Sequence, residues 1–160
     1  MDTAAFDSRY QELFADLARV CRALGGGHEA EDLAQDALVA GRMRLADLRD
    51  DTRLVPWLRR IAVRATLRSR RSRSPASSQE AGAPDPSIGL VEMHADERLA
   101  MARLTARQRQ FVALVYFVGY RQEEVAEMME VSRGTVAKTL WEARLTLAHA
   151  LADYDRGGRR

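Results

Sequence analysis

Residues 123–147 read EEVAEMMEVSRGTVAKTLWEARLTL, a short helix, a three-residue turn and a longer helix. Ala126 sits inside the first helix, where a small side chain lets two helices cross closely. Val131 fills the turn, and Val136 and Leu140 pack beneath the first helix. Ser132 is an N-cap residue, since its hydroxyl can accept a backbone N–H that the first turn leaves unpaired. Together these make a helix-turn-helix pattern, whose second helix enters a major groove by its N-terminal end. Ser132, Arg133 and Thr135 supply donors at that end, and Lys138 follows one turn on. The plain alternative for the same pattern is an ordinary pair of packed helices.

Outward from this segment the chain stays helical. The fourth C-terminal helix is expected to run to about Tyr154, with Val136, Leu140, Ala143, Leu147 and Leu151 as its seam. Three helices are expected before it: residues 92–103, Arg107–Val118 stopped by Gly119, and Gln122–Met129. At the other end, Phe6, Tyr10, Leu13, Phe14, Leu17, Val20, Cys21 and Leu24 recur at three- and four-residue steps, the period of one long amphipathic helix. Gly25-Gly26-Gly27 stops it, and a second helix follows from about Glu29, with Leu33, Ala37 and Leu38 inward. A third begins at Pro56, with Leu58, Ile61, Ala62 and Ala65 buried. No segment alternates as a strand does. The expected class is all-α: two small helical domains joined by a flexible linker, the C-terminal one holding the helix-turn-helix. The linker is residues 72–91, which hold three of the four prolines. Each unit is near the size below which one core gives only a few kcal/mol, so docking on each other or on a partner is expected.

Charge is concentrated. The 160 residues carry a net charge of only +2, yet residues 53–74 hold eight arginines and no acid. Residues 1–52 and 75–97 are each −5, and residues 98–160 are +4. Arg60, Arg64, Arg68 and Arg71 fall at i, i+4, i+8 and i+11, one narrow stripe with Trp57 at its border. No acid lies within the segment to pair with them, so the stripe repels itself unless an anion lies across it. Arginine accounts for 24 of the 25 basic residues. Arginine grips phosphate with two parallel bonds and stacks on flat rings, although a GC-rich genome produces the same bias.

Other chemistries are excluded. The single Cys21 forbids an internal disulfide or a cysteine-cluster zinc site, and three scattered histidines give no metal pair. The triglycine follows no strand and precedes no Gly-Lys-Ser/Thr, so it cradles no phosphate. No nucleophile–base pair or carboxylate dyad stands out. The expectation is a non-enzyme with no cofactor, metal or small-molecule substrate. No apolar run nears the ~18 residues of a membrane span, and the acidic start is no secretory signal, so neither membrane insertion nor export is expected, and the cytoplasm is the expected compartment.

AEDLAQDAL (30–38), followed by PWLRRIAVRATLRSRRSR (56–73), resembles the N-terminal conserved domain of the extracytoplasmic-function (ECF) group of bacterial sigma factors, within the sigma-70 family. LTARQRQFVALVYFVGYRQEEVAEMMEVSRGTVAKTLWEARLTLAHAL (104–151) resembles the group's C-terminal domain. On that resemblance, residues 1–73 bind polymerase and the −10 element, 74–91 link, and 92–160 bind the −35 element. Asp32, Gln35 and Asp36 would dock on the clamp helices of the largest subunit of core RNA polymerase. The loop Leu48–Val55 would hold an unstacked promoter base, with Trp57 in support. Arg60, Arg64, Arg68 and Arg71 would track strand phosphates. Arg133, Thr135, Lys138 and Thr139 would lie nearest the −35 base edges, with Arg144 towards the backbone. The resemblance also implies an anti-sigma protein that masks these surfaces. Trp141 and Leu145, opposite the Val136 seam, suggest a docking surface for the other domain or an inhibitor.

The sequence departs from the group at three places. Arg64 and Arg68 stand where Asn and Asp are frequent, which points to a more purely electrostatic grip. Glu130 stands where Gly is usual; a positive φ there costs on the order of 1 kcal/mol, or the turn differs. Ala137 replaces a basic residue, which Lys138 follows. Two competing readings remain at this level. One is a stand-alone helix-turn-helix regulator that never touches polymerase. The other is an adaptor or inhibitor that binds only protein.

Overall fold

A computed structural model describes residues 2–73 and 95–157, and all secondary structure in them is helical. The linker expected at 74–91 lies outside the described residues. The N-terminal module has α1 (Thr3–Ser8), α2 (Tyr10–Ala23), α3 (Ala30–Met43) and α4 (Leu54–Arg73). The C-terminal module has α5 (Ala95–Ala102), α6 (Ala106–Val112), α7 (Gln122–Met128) and α8 (Arg133–Gly157).

The expected first helix is two. The chain breaks at Arg9, where the Ser8 hydroxyl donates to the Ala5 carbonyl at 2.8 Å and competes for a helical acceptor. Phe6 stays buried across the break. The triglycine is a fixed stop rather than a hinge. Gly25 takes φ +82°, and the Gly25 and Gly26 amides donate to the Arg22 and Cys21 carbonyls. That pairing closes a helix end with its left-handed residue at glycine. Helix α4 starts two residues before Pro56, which lies within the first turn, where a missing N–H costs nothing.

In the C-terminal module, a reciprocal Thr105–Gln108 cap starts α6. After Val112 the chain winds wider, as a π-turn over Ala113–Phe117. This turns Tyr116 and Phe117 outward, each about half exposed. Ser132 caps α8 as expected, accepting from the Thr135 amide at 3.0 Å. Val136, Leu140 and Ala143 are buried, but the seam fades beyond Leu147, and Leu151 is exposed.

Two cores result. One lies among α1–α4, with Phe6, Leu13, Leu17, Leu38, Leu54 and Leu58 fully enclosed. The second is shared between the modules. Val20 and Ala23 of α2, Leu24 just after it and Val63 of α4 pack into the same cluster as Phe111, Leu114, Tyr120, Val125 and Met128. The modules therefore dock on each other, through α2 and α4 on one side and the Tyr120–α7 region on the other.

Candidate nucleic-acid interface

Helix α4 is shared among three neighbours, and its residue order decides which face meets which. At about 100° per residue, Leu54, Leu58 and Ala62 turn to the N-terminal core, while Val63 and Leu67 turn to the C-terminal module. The remaining sector carries Trp57, Arg60, Arg64, Arg68 and Arg71, so the stripe read from the sequence exists. Arg64, Arg68 and Arg71 are exposed, and Arg60 is half-buried. Trp57 is half-buried against the N-terminal core, near Gly41 of α3. Its ring thus serves the core while standing at the edge of the stripe.

The loop before α4 is a built turn. The Asp50 carboxylate accepts from the Thr52 amide at 2.9 Å and the Thr52 hydroxyl at 2.7 Å. Those two bonds, with the nearby Arg53 charge, hold the Asp50 carboxyl below the usual carboxylate range.

Asp32, Gln35 and Asp36 are all exposed on α3. Neither Asp32 nor Asp36 forms an ion pair with another described residue. The same edge continues at i+7 and i+11 from Asp32 through Val39, 51% exposed, and Met43, 81% exposed. The acidic edge is thus half of a longer stripe, acidic at one end and apolar at the other. The sequence reading did not single out Val39 and Met43, although their spacing from Asp32 carries the signal.

On α8, Thr135, Lys138 and Thr139 share one side of the helix, and Arg133 stands at its N-terminus. Arg133 pairs with Glu123 at 2.8 Å, and Lys138 lies 3.9 Å from Glu142. The Thr135 hydroxyl is tied to that of Ser132 at 2.8 Å. Arg144 is not with them. It lies on the far flank, its guanidinium bonded to the Tyr116 hydroxyl and 5.6 Å from that ring. Tyr116, Phe117, Trp141 and Leu145 are each 43–59% exposed. The other module does not cover Trp141 and Leu145, because it docks on the α7 side instead.

A buried polar knot joins the modules. Asp16 of α2 accepts from Arg59 Nε at 2.8 Å, Arg59 Nη2 at 3.1 Å and the Tyr120 hydroxyl at 2.7 Å. Arg59 also reaches Glu124 at 3.0 Å, and its guanidinium lies 4.2 Å from the centre of the Tyr120 ring. Burial alone would push the Asp16 carboxyl up. The bonds from Arg59 and Tyr120, with the charges of Arg59 and Arg19, outweigh it and hold the group below its ordinary value. Tyr120 is pushed up by burial and by the Asp16 carboxylate. No buried side-chain polar atom among the described residues lacks a partner. Nearer the surface, Arg53 pairs with Glu127, and Arg64 grips Glu130 with two bonds of 2.6 and 3.2 Å. Glu130 takes φ +56° at the C-terminal stop of α7, the left-handed conformation that glycine would adopt without strain.

Comparison with known proteins agrees with this geometry. The family model for Sigma-70 region 2 matches residues 8–75, and that for Sigma-70, region 4 matches residues 96–147. The ECF RNA polymerase sigma factor SigM of Mycobacterium tuberculosis is 32% identical over 160 residues, covering 98% of this chain and 82% of SigM. The probable RNA polymerase sigma factor RfaY of Xanthomonas campestris is 35% identical over 136 residues, which is 76% of this chain but 34% of RfaY. The fold is also that of the sigma factor RpoE of Bartonella quintana, solved in complex with the anti-sigma factor NepR. That match has a TM-score of 0.63 at 24% identity and covers 92% of this chain and 97% of RpoE. Both sigma regions, in order and across 98% of this chain and 82% of SigM, disfavour a stand-alone regulator. The chain belongs to the ECF RNA polymerase sigma factors of the sigma-70 family.

Proposed function

We propose that the N-terminal module, residues 1–73, anchors core RNA polymerase and holds the −10 strand, and that residues 92–160 read the −35 duplex. The α3 stripe carries the anchoring role. Its exposed Asp32 and Asp36 have no intramolecular ion partner among the described residues, and Val39 and Met43 leave apolar surface beside them. An acidic-then-apolar edge fits a basic, amphipathic helix such as a polymerase clamp helix. Arg60, Arg64, Arg68 and Arg71 then neutralise strand phosphates, and the Leu48–Val55 loop with Trp57 receives an unstacked base. Arg133, Thr135, Lys138 and Thr139 face the −35 base edges, where each good bidentate contact is worth about 1–3 kcal/mol of discrimination. Arg144, tied to Tyr116, stands apart from these base-facing residues.

RpoE's solved complex with an anti-sigma factor supports a similar partner for this chain. The exposed Trp141 and Leu145, neighbours at i and i+4 on α8, are a natural seat for it. The compartment of such a factor is the cytoplasm, where polymerase is. The factor performs no catalysis of its own; it works by binding, and the sigma family is not an enzyme class.

Co-purification with core polymerase tests the anchoring edge. Asp32→Arg with Asp36→Arg abolishes it, while far-ultraviolet circular dichroism stays unchanged because both side chains are exposed. Undiminished co-purification would reject the assigned edge.

A further inference from the structure

Two neighbouring carboxylates at the start of the helix-turn-helix serve different faces. Glu123 and Glu124 both lie in the first turn of α7, where a helix N-terminus favours negative charge. Glu124 turns to Arg59 and the other module. Glu123 turns to the recognition helix and meets Arg133, its Oε1 2.8 Å from Arg133 Nε. The Glu123 side chain is 56% exposed and that of Arg133 71%, so packing does little to fix either, and the pair adds little to stability. Its consequence is for where the guanidinium points.

Among the four side chains assigned to the −35 edges, Arg133 alone has a flat, forked head that can donate two parallel bonds. The Thr135 hydroxyl is tied to Ser132, and Lys138 is a point charge. Guanine presents two acceptors, O6 and N7, to the major groove, whereas adenine sets an N6 donor beside its N7. An arginine free to roam reaches either purine, or a phosphate. One held in a fixed plane meets guanine with two bonds, and meets adenine with one bond and a donor facing a donor. With Nε beside Glu123, the two Nη atoms remain for the base.

We propose that Glu123 is a positioning residue for −35 recognition: its carboxylate holds the Arg133 guanidinium so that the Nη edge donates to O6 and N7 of one guanine. The proposal deepens the −35 role assigned above to α8 and rests on it. Ordering a long exposed side chain costs rotamer entropy, and the ion pair places part of that ordering in the free protein. Glu123 therefore sets selectivity at one base pair. As an acid close to DNA it does not raise overall affinity.

Transcription supplies the test: core polymerase with the full-length chain, on a linear template library whose upstream region is randomised, with the templates of the transcripts sequenced. The base pair read by Arg133 is the one whose guanine preference Arg133→Ala relaxes, by about fivefold or more. Glu123→Ala is expected to relax guanine at that same base pair by about threefold or more, leaving the rest of the −35 element and the −10 element unchanged. Glu123→Gln, which keeps an acceptor oxygen at the same reach, should retain more of the preference than Glu123→Ala. Adding Glu123→Ala to Arg133→Ala should relax it no further. Glu142→Ala removes the same charge from the same module and should leave guanine at that base pair as in the wild type; equal relaxation there would assign the effect to charge and overturn the positioning role. Unaltered guanine preference in Glu123→Ala, with Arg133→Ala still relaxing it, would also overturn that role. So would a gain in output spread evenly over all templates, which is how an arginine on a phosphate behaves. If Arg133→Ala relaxes no base pair, the base-reading role of Arg133 falls and the positioning role with it. If the wild type yields no transcripts from active core, the promoter-reading function itself falls.

Discussion

Replacing Asp16 by Asn is the sharpest probe of how the modules are held. The substitution keeps shape and volume but swaps one acceptor oxygen for an NH2. In the native structure Oδ1 accepts from Tyr120, Arg59 Nη2 and Arg19, and Oδ2 accepts from Arg59 Nε at 2.8 Å. Whichever way the amide is turned, its NH2 faces at least one of these donors. One charge-assisted bond is lost, and a buried donor is left without a partner. Both side chains of the Asp16–Arg59 pair are only 13% exposed, so water gives little relief. The cost is on the order of 3 kcal/mol. For a chain of this size that lowers the melting temperature by about 6–12 °C.

Urea denaturation at pH 7, followed by the fluorescence of Trp57 and Trp141, measures the difference. Its pH dependence has a fixed sign. The folded carboxyl titrates below its unfolded value of about 3.9, so its stabilisation is complete above that pH. It is lost as pH falls through the lower, folded value. The gap between wild type and Asp16→Asn should therefore narrow as the pH falls below the unfolded value. A difference under about 0.5 kcal/mol at pH 7, or a gap that widens in acid, would refute the reasoning.

Two further outcomes follow from the same geometry. Gly26→Ala puts a Cβ 2.8 Å from the Cys21 carbonyl oxygen, a backbone atom that cannot step aside, and should cost about 1–3 kcal/mol in the same denaturation assay. Arg68→Gln with Arg71→Gln, two exposed residues, should leave stability unchanged. It should also flatten the salt dependence of single-strand binding by about 0.7 in log–log slope for each phosphate contact removed.

The helices were legible in the sequence because apolar spacing carries them. Their joints were not. Ser8 breaks the first helix through its own hydroxyl, and the π-turn at Ala113–Phe117 widens a segment whose period reads as regular helix. The four-arginine stripe was equally legible, since its residues sit on one helix at fixed steps. The partner of Arg64 was invisible, because a contact across 66 residues leaves no local period. Glu130 did leave a trace, as a non-glycine where a positive φ was expected, and the structure gives that oddity a partner. Arg144 shows the limit of reading one helix at a time. The resemblance assigns it to the DNA backbone, and in the fold its guanidinium is bonded to the Tyr116 hydroxyl on the other flank of α8. Val39 and Met43 extend the Asp32–Asp36 edge at helical spacing, yet in sequence an exposed apolar residue cannot be told from a buried one.

The surfaces together describe a factor that works by differential binding. Each module alone offers a few exposed cations, worth little apiece in water. On the proposed reading, a larger assembly that holds both modules along a promoter lets those cations act at once on two elements of the DNA. The most direct measurement of this claim is transcription in vitro, with core polymerase plus the purified protein on fragmented genomic DNA. The expected result is a set of start sites sharing a pair of upstream elements, absent when the protein is omitted. No transcripts from core polymerase that another sigma factor activates under the same conditions would contradict it.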